Sequence, residues 1–196
     1  MKPDKLQQRK LLSIAKQRIS QAWQSNPLSE FSQFAEHVSI DPCLRENGAS
    51  FVTLNKAGQL RGCIGSLQPR CAIAEDVFNN AYSAAFRDPR FPPLQANETG
   101  HLQIEISVLG TPEPIERCGS KQALLQQLRP FEDGLILTDG FKRATFLPSV
   151  WEQLPDKNEF VDYLMRKGGM LSWSDTMRCE RYTAFKFSAD WDQIET

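Results

Sequence analysis

The sequence contains no long hydrophobic run and no excess of charge of either sign. Apolar stretches such as residues 134–137 are far shorter than the about 20 residues that a membrane-spanning helix needs. The formal net charge is −1 and no block of Lys or Arg occurs, which argues against a large nucleic-acid-binding surface. The first residues lack the apolar core of a signal peptide. We therefore expect a cytoplasmic protein with no membrane partner and with nucleic acid as a disfavoured one.

Histidine is scarce, and the cysteines show no pairing pattern. The five cysteines are odd in number, scattered and without any C-x-x-C spacing, and neither histidine lies near a cysteine in sequence. This pattern argues against a disulfide framework and a structural zinc site, so we expect no metal site. Phosphate-binding motifs such as G-x-G-x-x-G are also absent, which leaves any cofactor unknown. We expect reduced and mostly buried thiols at Cys43, Cys71, Cys118 and Cys179.

Hydrophobic periodicity and turn residues predict an alternation of helices and hairpins. Helices are predicted over residues 4–25, 72–86, 121–128 and 158–167, with short helical turns from residue 31 and over 148–154. Strands are predicted over residues 50–56, 60–67, 102–109, 134–138, 142–147 and 178–187. Residues 41–48 are predicted to form a loop, and the prolines of residues 88–94 hold that segment extended.

Two parts of the chain show the same predicted order of elements. Residues 51–67 form a strand, a turn and a second strand before a helix, and residues 135–150 repeat this order. Arg61 and Arg143 occupy comparable places after the two turns. This suggests an internal duplication of a hairpin-helix unit, giving two α+β halves with a cleft between them. Because a hairpin followed by a helix is common, the pattern also fits two unrelated units.

The segment Leu-Arg-Gly-Cys-Ile-Gly at residues 60–65 is the main candidate site. Glycine inside a strand usually marks a bulge or a close approach of another backbone or ligand, and here Gly62 and Gly65 flank one thiol. Side chains alternate along a strand, so Arg61 and Cys63 are predicted to share one face about 7 Å apart. A neighbouring guanidinium lowers the pKa of a thiol, which makes Cys63 a candidate nucleophile. The alternatives are a ligand-lining thiol and a buried cysteine beside a surface arginine.

Further candidates lie outside this segment. Asp88 and Arg90, on the proline-rich loop, form either a binding site for a carboxylate or phosphate, or an ion pair that pins the loop. Glu105 is on the non-core face of the predicted strand 102–109 and becomes a candidate general base if that face lines a cleft. Lys167 ends a predicted helix, where a cation also interacts favourably with the helix dipole.

Four motifs in one order resemble a known family. They are the segments at residues 60–65, 88–94 (Asp-Pro-Arg-Phe-Pro-Pro-Leu), 105–109 (Glu-Ile-Ser-Val-Leu) and 145–151 (Thr-Phe-Leu-Pro-Ser-Val-Trp). Together they resemble the AMMECR domain family, called AmmeMemoRadiSam system protein A in bacteria. The resemblance covers residues 48–187 within one AMMECR-type domain over residues 1–196. Ala144 and Asp133 depart from the family pattern, where a glycine and a histidine are expected, and this puts a role for the second hairpin in doubt.

The resemblance implies an α+β fold of two unequal subdomains with mostly antiparallel sheet and flanking helices. It also implies a Memo-like protein and a radical SAM enzyme as partners, and a site near the cleft between the subdomains. The family has no settled activity, so the resemblance names no reaction. Its motifs carry over Cys63, Arg61 and Glu105 as candidate catalytic residues, and Gly62, Gly65, Asp88, Arg90 and Lys167 as candidate ligand-binding residues.

These observations favour a small enzyme or a substrate-presenting subunit that acts with those partners. In the enzyme, Cys63 is a nucleophile or redox thiol, Arg61 activates it or binds an anionic group, and Glu105 or Asp88 accepts a proton. The alternative is a non-catalytic adaptor module that binds a peptide or small anion, and a nucleic-acid-binding regulator ranks third. The substrate and the oligomeric state do not follow from the sequence.

Overall fold

The computed structural model describes residues 2–24 and 30–195. Its helices are α1 (Lys5–Gln21), α2 (Phe31–His37), α3 (Ile73–Phe86), α4 (Lys121–Gln127) and α5 (Lys157–Lys167). Its strands are β1 (Asn47–Gly48), β2 (Ser50–Lys56), β3 (Gln59–Gly65), β4 (Cys71–Ala72), β5 (Leu102–Leu109), β6 (Glu113–Pro114), β7 (Gly134–Asp139), β8 (Lys142–Phe146), β9 (Arg178–Tyr182) and β10 (Ala184–Asp190). Short 3₁₀ helices cover Pro42–Arg45, Ala96–His101, Pro148–Glu152 and Trp191–Gln193.

The chain divides into two unequal units, each with its own four-stranded sheet. The first unit comprises Met1–Leu109 and Phe185–Thr196, and the second comprises Gly110–Ala184. The strand order is β10-β5-β2-β3 in the first sheet and β6-β9-β7-β8 in the second, and every pairing described within them is antiparallel. This confirms the predicted α+β fold. Among the helices of the described residues, none combines the length and hydropathy needed to cross a bilayer.

Helix α1 is shorter than predicted. It begins where the Asp4 carboxylate accepts the backbone N–H of Gln7, a cap that satisfies a free donor of the first turn. Its apolar residues Leu11, Ala15 and Ile19 lie on one helical face and are fully buried. The helix ends at Gln21, whereas the prediction extended it to residue 25, which lies outside the described residues.

Helix α3 packs against the first sheet, and this contact forms the core of the first unit. Side chains alternate along β5, so Leu102, Ile104, Ile106 and Val108 face the core and are at most 2% exposed. The observed bounds of β2 and β5 equal the predicted ones. Both strands lie in the middle of the sheet, where burial on one face requires strict alternation.

The predicted strand over residues 178–187 is wrong as a single element. The structure has two strands there, separated by Thr183. Strand β9 pairs with β7 in the second sheet, whereas β10 lies beside β5 in the first. The Thr183 carbonyl accepts the N–H of Gly110 at 2.7 Å instead of a bond within either sheet. The sequence shows continuous β propensity because it does not distinguish one long strand from two consecutive ones.

Asp133 and Ala144, the two positions expected to depart from the family pattern, have structural roles in the second unit. Asp133 is fully buried, and its carboxylate accepts the backbone N–H of Arg129 at 2.8 Å and its guanidinium at 2.6 Å. The Asp133 carbonyl accepts the indole N–H of Trp151 at 2.7 Å. Ala144 is buried on β8, and an added Cβ at Gly168 would lie 3.0 Å from its methyl group. Asp133 therefore links three segments of the second unit by hydrogen bonds, and the small side chain of Ala144 allows the close approach of Gly168.

The connectivity of the two units is alike. In the first, the hairpin β2-β3 is followed by α3 and by β5, which pairs with β2. In the second, the hairpin β7-β8 is followed by α5 and by β9, which pairs with β7. In both sheets the second hairpin strand lies at the edge. The common order is consistent with an internal duplication, which stays a prediction.

Candidate functional site

Cys63 lies on the edge strand β3 of the first sheet and is partly buried. Its register partner on β2 is Thr53, whose own partner on β5 is Glu105. The Thr53 hydroxyl donates a hydrogen bond to Cys63 Sγ at 3.3 Å. Lys186 of β10 contacts Glu105 at 3.4 Å from Nζ to Oε1. These four residues form a cross-strand row, which runs from Cys63 through Thr53 and Glu105 to Lys186.

The close approach predicted from Gly62 and Gly65 exists, and the protein itself makes it. An added Cβ at Gly62 would overlap the backbone carbonyl of Ala84 on α3. An added Cβ at Gly65 would overlap the ring of Phe51 and the carbonyl oxygen of Ser50. Both glycines thus allow neighbouring groups of the chain to pack against β3. The space beside each Cα is filled by protein, so a ligand at either position would have to approach from another side.

Asp88 and Arg90 satisfy the backbone of Cys63 at the open edge of β3. The Asp88 carboxylate accepts the Cys63 N–H at 2.8 Å, and Arg90 Nη2 donates to the Cys63 carbonyl at 3.1 Å. Arg90 also binds the Asp88 carboxylate through Nε at 2.9 Å and Nη2 at 2.6 Å. An edge strand leaves such groups unpaired, and this loop replaces the missing neighbour. The geometry is that of the pinning alternative.

The charges of this pair are strongly coupled. The Asp88 side chain is 2% exposed and that of Arg90 is 53% exposed. Hydrogen bonding from Arg90 lowers the pKa of the Asp88 carboxyl, with a smaller contribution from the Cys63 N–H. The pKa of the Arg90 guanidinium is raised, chiefly by Asp88 and to a lesser extent by Cys63. Arg90 is therefore a cation that is bonded to the Asp88 carboxylate and to the backbone carbonyl of Cys63.

Arg61 does not have the predicted arrangement beside Cys63. The register shifts between Leu54 and Asn55, so that Arg61 has no partner on β2 and the alternation of β3 is interrupted there. Its guanidinium instead binds Glu98, with Nε to Oε1 at 3.1 Å and Nη2 to Oε2 at 3.0 Å. Lys56 binds the same carboxylate at 2.8 Å. Hydrogen bonding from Arg61 is the main cause that lowers the pKa of Glu98 to about 2.

Glu105 lies two strands away from Cys63. Neighbouring strands are separated by about 4.8 Å, so these two side chains are roughly 10 Å apart across the row. This distance exceeds a hydrogen bond, and Thr53 lies between them. Proton transfer from the thiol to Glu105 would therefore need the Thr53 hydroxyl or a water molecule as an intermediate.

Lys167 lies in the second unit, at the end of α5. Its ammonium donates to the Thr145 carbonyl at 3.0 Å and lies 5.1 Å from the centroid of the Phe146 ring. These contacts attach the end of α5 to β8. The predicted ligand-binding residues therefore divide between the units, with Gly62, Gly65, Asp88 and Arg90 in the first and Lys167 in the second.

Sequence reasoning did not identify Thr53 or Glu98. A simple two-residue turn at Ala57-Gly58 would place Thr53 opposite Gly62, and the bulge moves its partner to Cys63. The two glycines of the motif indicated a bulge in this strand, but they did not show at which residue it occurs. Glu98 is 37 residues from Arg61 in sequence and belongs to the 3₁₀ helix Ala96–His101. No local pattern connects the two.

The remaining cysteines have different environments. The expectation that Cys43 is buried is wrong, because it lies exposed in the 3₁₀ helix that Asp41 caps. Asp41 is also the main cause that raises the pKa of the Cys43 thiol. Cys71 is partly buried, and burial raises its pKa to about 11. Cys118 and Cys179 are buried as expected, and burial raises the pKa of both thiols.

The sequence is similar to proteins of several archaea and of the bacterium Thermotoga maritima. The AMMECR1 family model matches residues 12–187. Protein Mbar_A1807 of Methanosarcina barkeri is 32% identical over 164 residues, which cover 83% of this chain and 79% of the relative. A protein of Thermotoga maritima is 28% identical over 172 residues, which cover 84% of this chain and 94% of the relative.

The fold is also similar to a solved structure. The crystal structure of the uncharacterized protein PH0010 from Pyrococcus horikoshii superposes with a TM-score of 0.72 at 27% sequence identity. The match covers 93% of this chain and 89% of that one. The similarity therefore extends over both units.

Proposed function

Because this chain belongs to the AMMECR1 family, we propose that it is a small thiol enzyme or substrate-presenting subunit whose reactive group is Cys63. The observation that carries the proposal is one thiol that accepts a hydroxyl hydrogen bond and whose backbone is bonded to a cation. The Thr53 hydroxyl donates to Cys63 Sγ, and Arg90 Nη2 donates to the Cys63 backbone carbonyl at 3.1 Å. Hydrogen-bond donors and cations stabilise a thiolate, which is the nucleophilic form of cysteine.

The neighbouring groups have separate roles in this proposal. Asp88 holds the backbone of Cys63 and the guanidinium of Arg90, and its lowered pKa makes it a poor proton acceptor. Glu105 accepts the thiol proton through one water molecule, and the Thr53 hydroxyl stays a donor to the resulting thiolate. Arg61 stabilises the local structure through Glu98, or binds an anionic group of the substrate once that pair opens.

The proposed partners are a Memo-like protein and a radical SAM enzyme, and the proposed location is the cytoplasm. The partners are supported by the family resemblance of the motifs at residues 60–65, 88–94, 105–109 and 145–151. The location is supported by the five free cysteines, since reducing compartments keep thiols unpaired.

The second candidate function is a non-catalytic adaptor module that binds a peptide or small anion. The pairing of Arg61 with Glu98 and of Arg90 with Asp88 favours it, because ion pairs within the chain are typical of structural sites. In that case Cys63 contributes packing and backbone hydrogen bonds only. The near-neutral charge leaves a nucleic-acid-binding regulator as the third candidate.

The two leading candidates differ in the reactivity of the Cys63 thiol. Iodoacetamide reacts with a thiolate by displacement of iodide and formation of a sulfur–carbon bond, so its rate reports the thiolate fraction. We expect Cys63 to be alkylated faster at pH 7 than the exposed Cys43, whose pKa Asp41 raises. Peptide mass spectrometry at several pH values measures each site. A Cys63 rate below that of Cys43 throughout would contradict the thiol enzyme and favour the module.

Partner binding provides an independent test. A module that needs Cys63 only for its shape keeps its affinity for a Memo-like protein from the same organism when Cys63→Ser is introduced. Loss of affinity in this variant would count against a cysteine that serves only the shape of the module. Isothermal titration with the purified Memo-like protein measures the affinity, and absence of binding by the natural sequence would exclude this partner.

A further inference from the structure

Two large apolar side chains of the second unit are almost completely exposed. Phe141 and Leu171 are both as exposed as they would be in an extended peptide. Phe141 follows Gly140 at the tip of the hairpin β7-β8, and Leu171 lies in the segment that follows α5. Exposed apolar side chains that protrude from loops are costly in water and often mark interaction sites.

Hydrogen bonds hold the two loops at the same end of the second unit. The hydroxyls of Ser174 and Thr176 donate to Oδ1 of Asp139 at 2.9 and 2.8 Å, at the base of the hairpin tip. At the other end of this segment, Gly168 packs against Ala144 of β8. Leu171 lies between these two attachment points. We call Phe141, Lys142, Leu171 and Trp173 the hairpin-tip surface.

Basic residues surround this surface. The hairpin tip contains Lys142 and Arg143, and the second segment is bounded by Arg166 and Lys167 on one side and by Arg178 on the other. Arg143 lies 3.9 Å from the Glu180 carboxylate, and the Lys167 ammonium donates to the Thr145 carbonyl. The acidic residues in the same stretches are Asp139 and Asp175. Asp139 accepts hydrogen bonds from two hydroxyls and keeps its negative charge, and Glu180 adds a further one beside Arg143, so five basic residues face three acidic ones. The balance of charge at this end of the unit is therefore positive.

Trp173 contributes an indole N–H without a partner. The ring is partly buried against the core of the second unit, and its Nε1 atom is buried with no hydrogen-bond partner among the described residues. Tryptophan prefers the boundary between apolar and aqueous phases, where its ring is apolar and its N–H finds an acceptor.

We propose that the hairpin-tip surface docks on an anionic membrane surface, with Phe141 and Leu171 inserted among the acyl chains. Protruding side chains on two separate loops need no matching pocket in a fluid bilayer, and the basic residues complement anionic headgroups. An acidic protein would need an apolar pocket for each side chain. The proposal is independent of the Cys63 thiol and differs from the expectation of no membrane partner.

The test uses the full chain and vesicles of defined composition. We expect co-sedimentation with vesicles of phosphatidylcholine containing about 30% phosphatidylglycerol at low salt, and at least about tenfold weaker binding to pure phosphatidylcholine. Salt at about 0.5 M should also weaken binding, because it screens the basic residues. Absence of binding to the anionic vesicles at low salt would overturn the proposal and favour an acidic protein as the occupant.

Substitutions distinguish this surface from the rest of the chain. The double variant Phe141→Ser/Leu171→Ser should lose at least about tenfold in vesicle partition, because it removes the inserting side chains. The control Leu6→Ser removes an apolar side chain that is 71% exposed on α1 and should leave binding unchanged. Circular dichroism checks the fold of each variant, and Lys142→Glu provides a second test that removes no apolar group. Unchanged binding in both test variants would contradict the proposal.

Discussion

The Asp88 carboxylate accepts the backbone N–H of Cys63 at 2.8 Å, although the two residues are 25 positions apart in the sequence. This bond joins the proline-rich loop after α3 to the edge strand that contains the thiol. Arg90 completes the arrangement by donating to the Cys63 carbonyl. Side chains of the loop therefore make the hydrogen bonds that a neighbouring strand would make to Cys63. They fix the backbone position of Cys63 and place charged groups beside it.

Replacement of Asp88 by Asn should destabilise the first unit. The variant removes a buried negative charge that binds Arg90 and weakens the acceptor of the Cys63 N–H. We expect a loss of about 1–3 kcal/mol in the free energy of unfolding, measured by urea denaturation. The matched control is Asp162→Asn, which breaks the more exposed pair with Lys121. That change should cost less than about 1 kcal/mol, and an equal effect of both variants would contradict the role of Asp88.

Stability should fall in acid through Asp88 and Glu98. Both carboxyls have a lower pKa in the folded state, Glu98 about 2, so the folded state binds fewer protons than the unfolded one. Their stabilisation is therefore complete above the unfolded pKa of about 4 and is lost as the pH falls toward the folded values. Thermal melts between pH 7 and pH 2 should show this loss.

The double variant Asp88→Asn/Glu98→Gln is the control for this acid dependence. Its melting temperature should decline less between pH 5 and pH 2 than that of the natural sequence. Burial raises the pKa of Asp76, so its protonation favours the folded state in acid. Asp76 is present in both proteins, so this contribution cancels in the comparison. A parallel decline in the two proteins would show that other groups cause the acid sensitivity.

Gly62→Ala should be far more damaging than an alanine at a glycine in open space. The new methyl group would overlap the carbonyl of Ala84 on α3, and neither backbone can move without disturbing the contact of the helix with the sheet. We expect a loss of about 3 kcal/mol or more, measured by urea denaturation. Gly100→Ala is the control, since nothing lies near its added Cβ. Similar stability of the two variants would contradict this account of the motif.

The two arginines near the motif should differ in their effect on the thiol. Arg90→Ala removes a cation that interacts with Cys63 and should slow iodoacetamide alkylation of Cys63 at pH 7 by about threefold or more. Arg61→Ala removes a cation bound to Glu98 and should change this rate less. Site-resolved mass spectrometry measures both rates, with Cys43 as the internal reference. A larger effect of Arg61→Ala would restore the activation of Cys63 first predicted from the sequence.

Local sequence patterns were sufficient to predict the bounds of an element when one of its faces is buried along its whole length. The alternation of β5 and the apolar stripe of α3 follow from burial against one core, so their bounds were predicted to within one residue. The motif glycines also predicted a close approach, and the structure identifies Ala84 and Phe51 as its source. The family followed from four short motifs in order, which the match over residues 12–187 confirms.

The sequence by itself determined the α+β class, the order of the main elements and the single thiol between two glycines. Only the tertiary structure decided that Thr53 and Arg90 are the neighbours of that thiol, that Arg61 binds Glu98, and that Thr183 separates two strands of different sheets. The physical reason is the range of the interactions. Periodicity reflects burial of neighbours along the chain, whereas a bulge or an ion pair across 37 residues depends on which distant segments pack together.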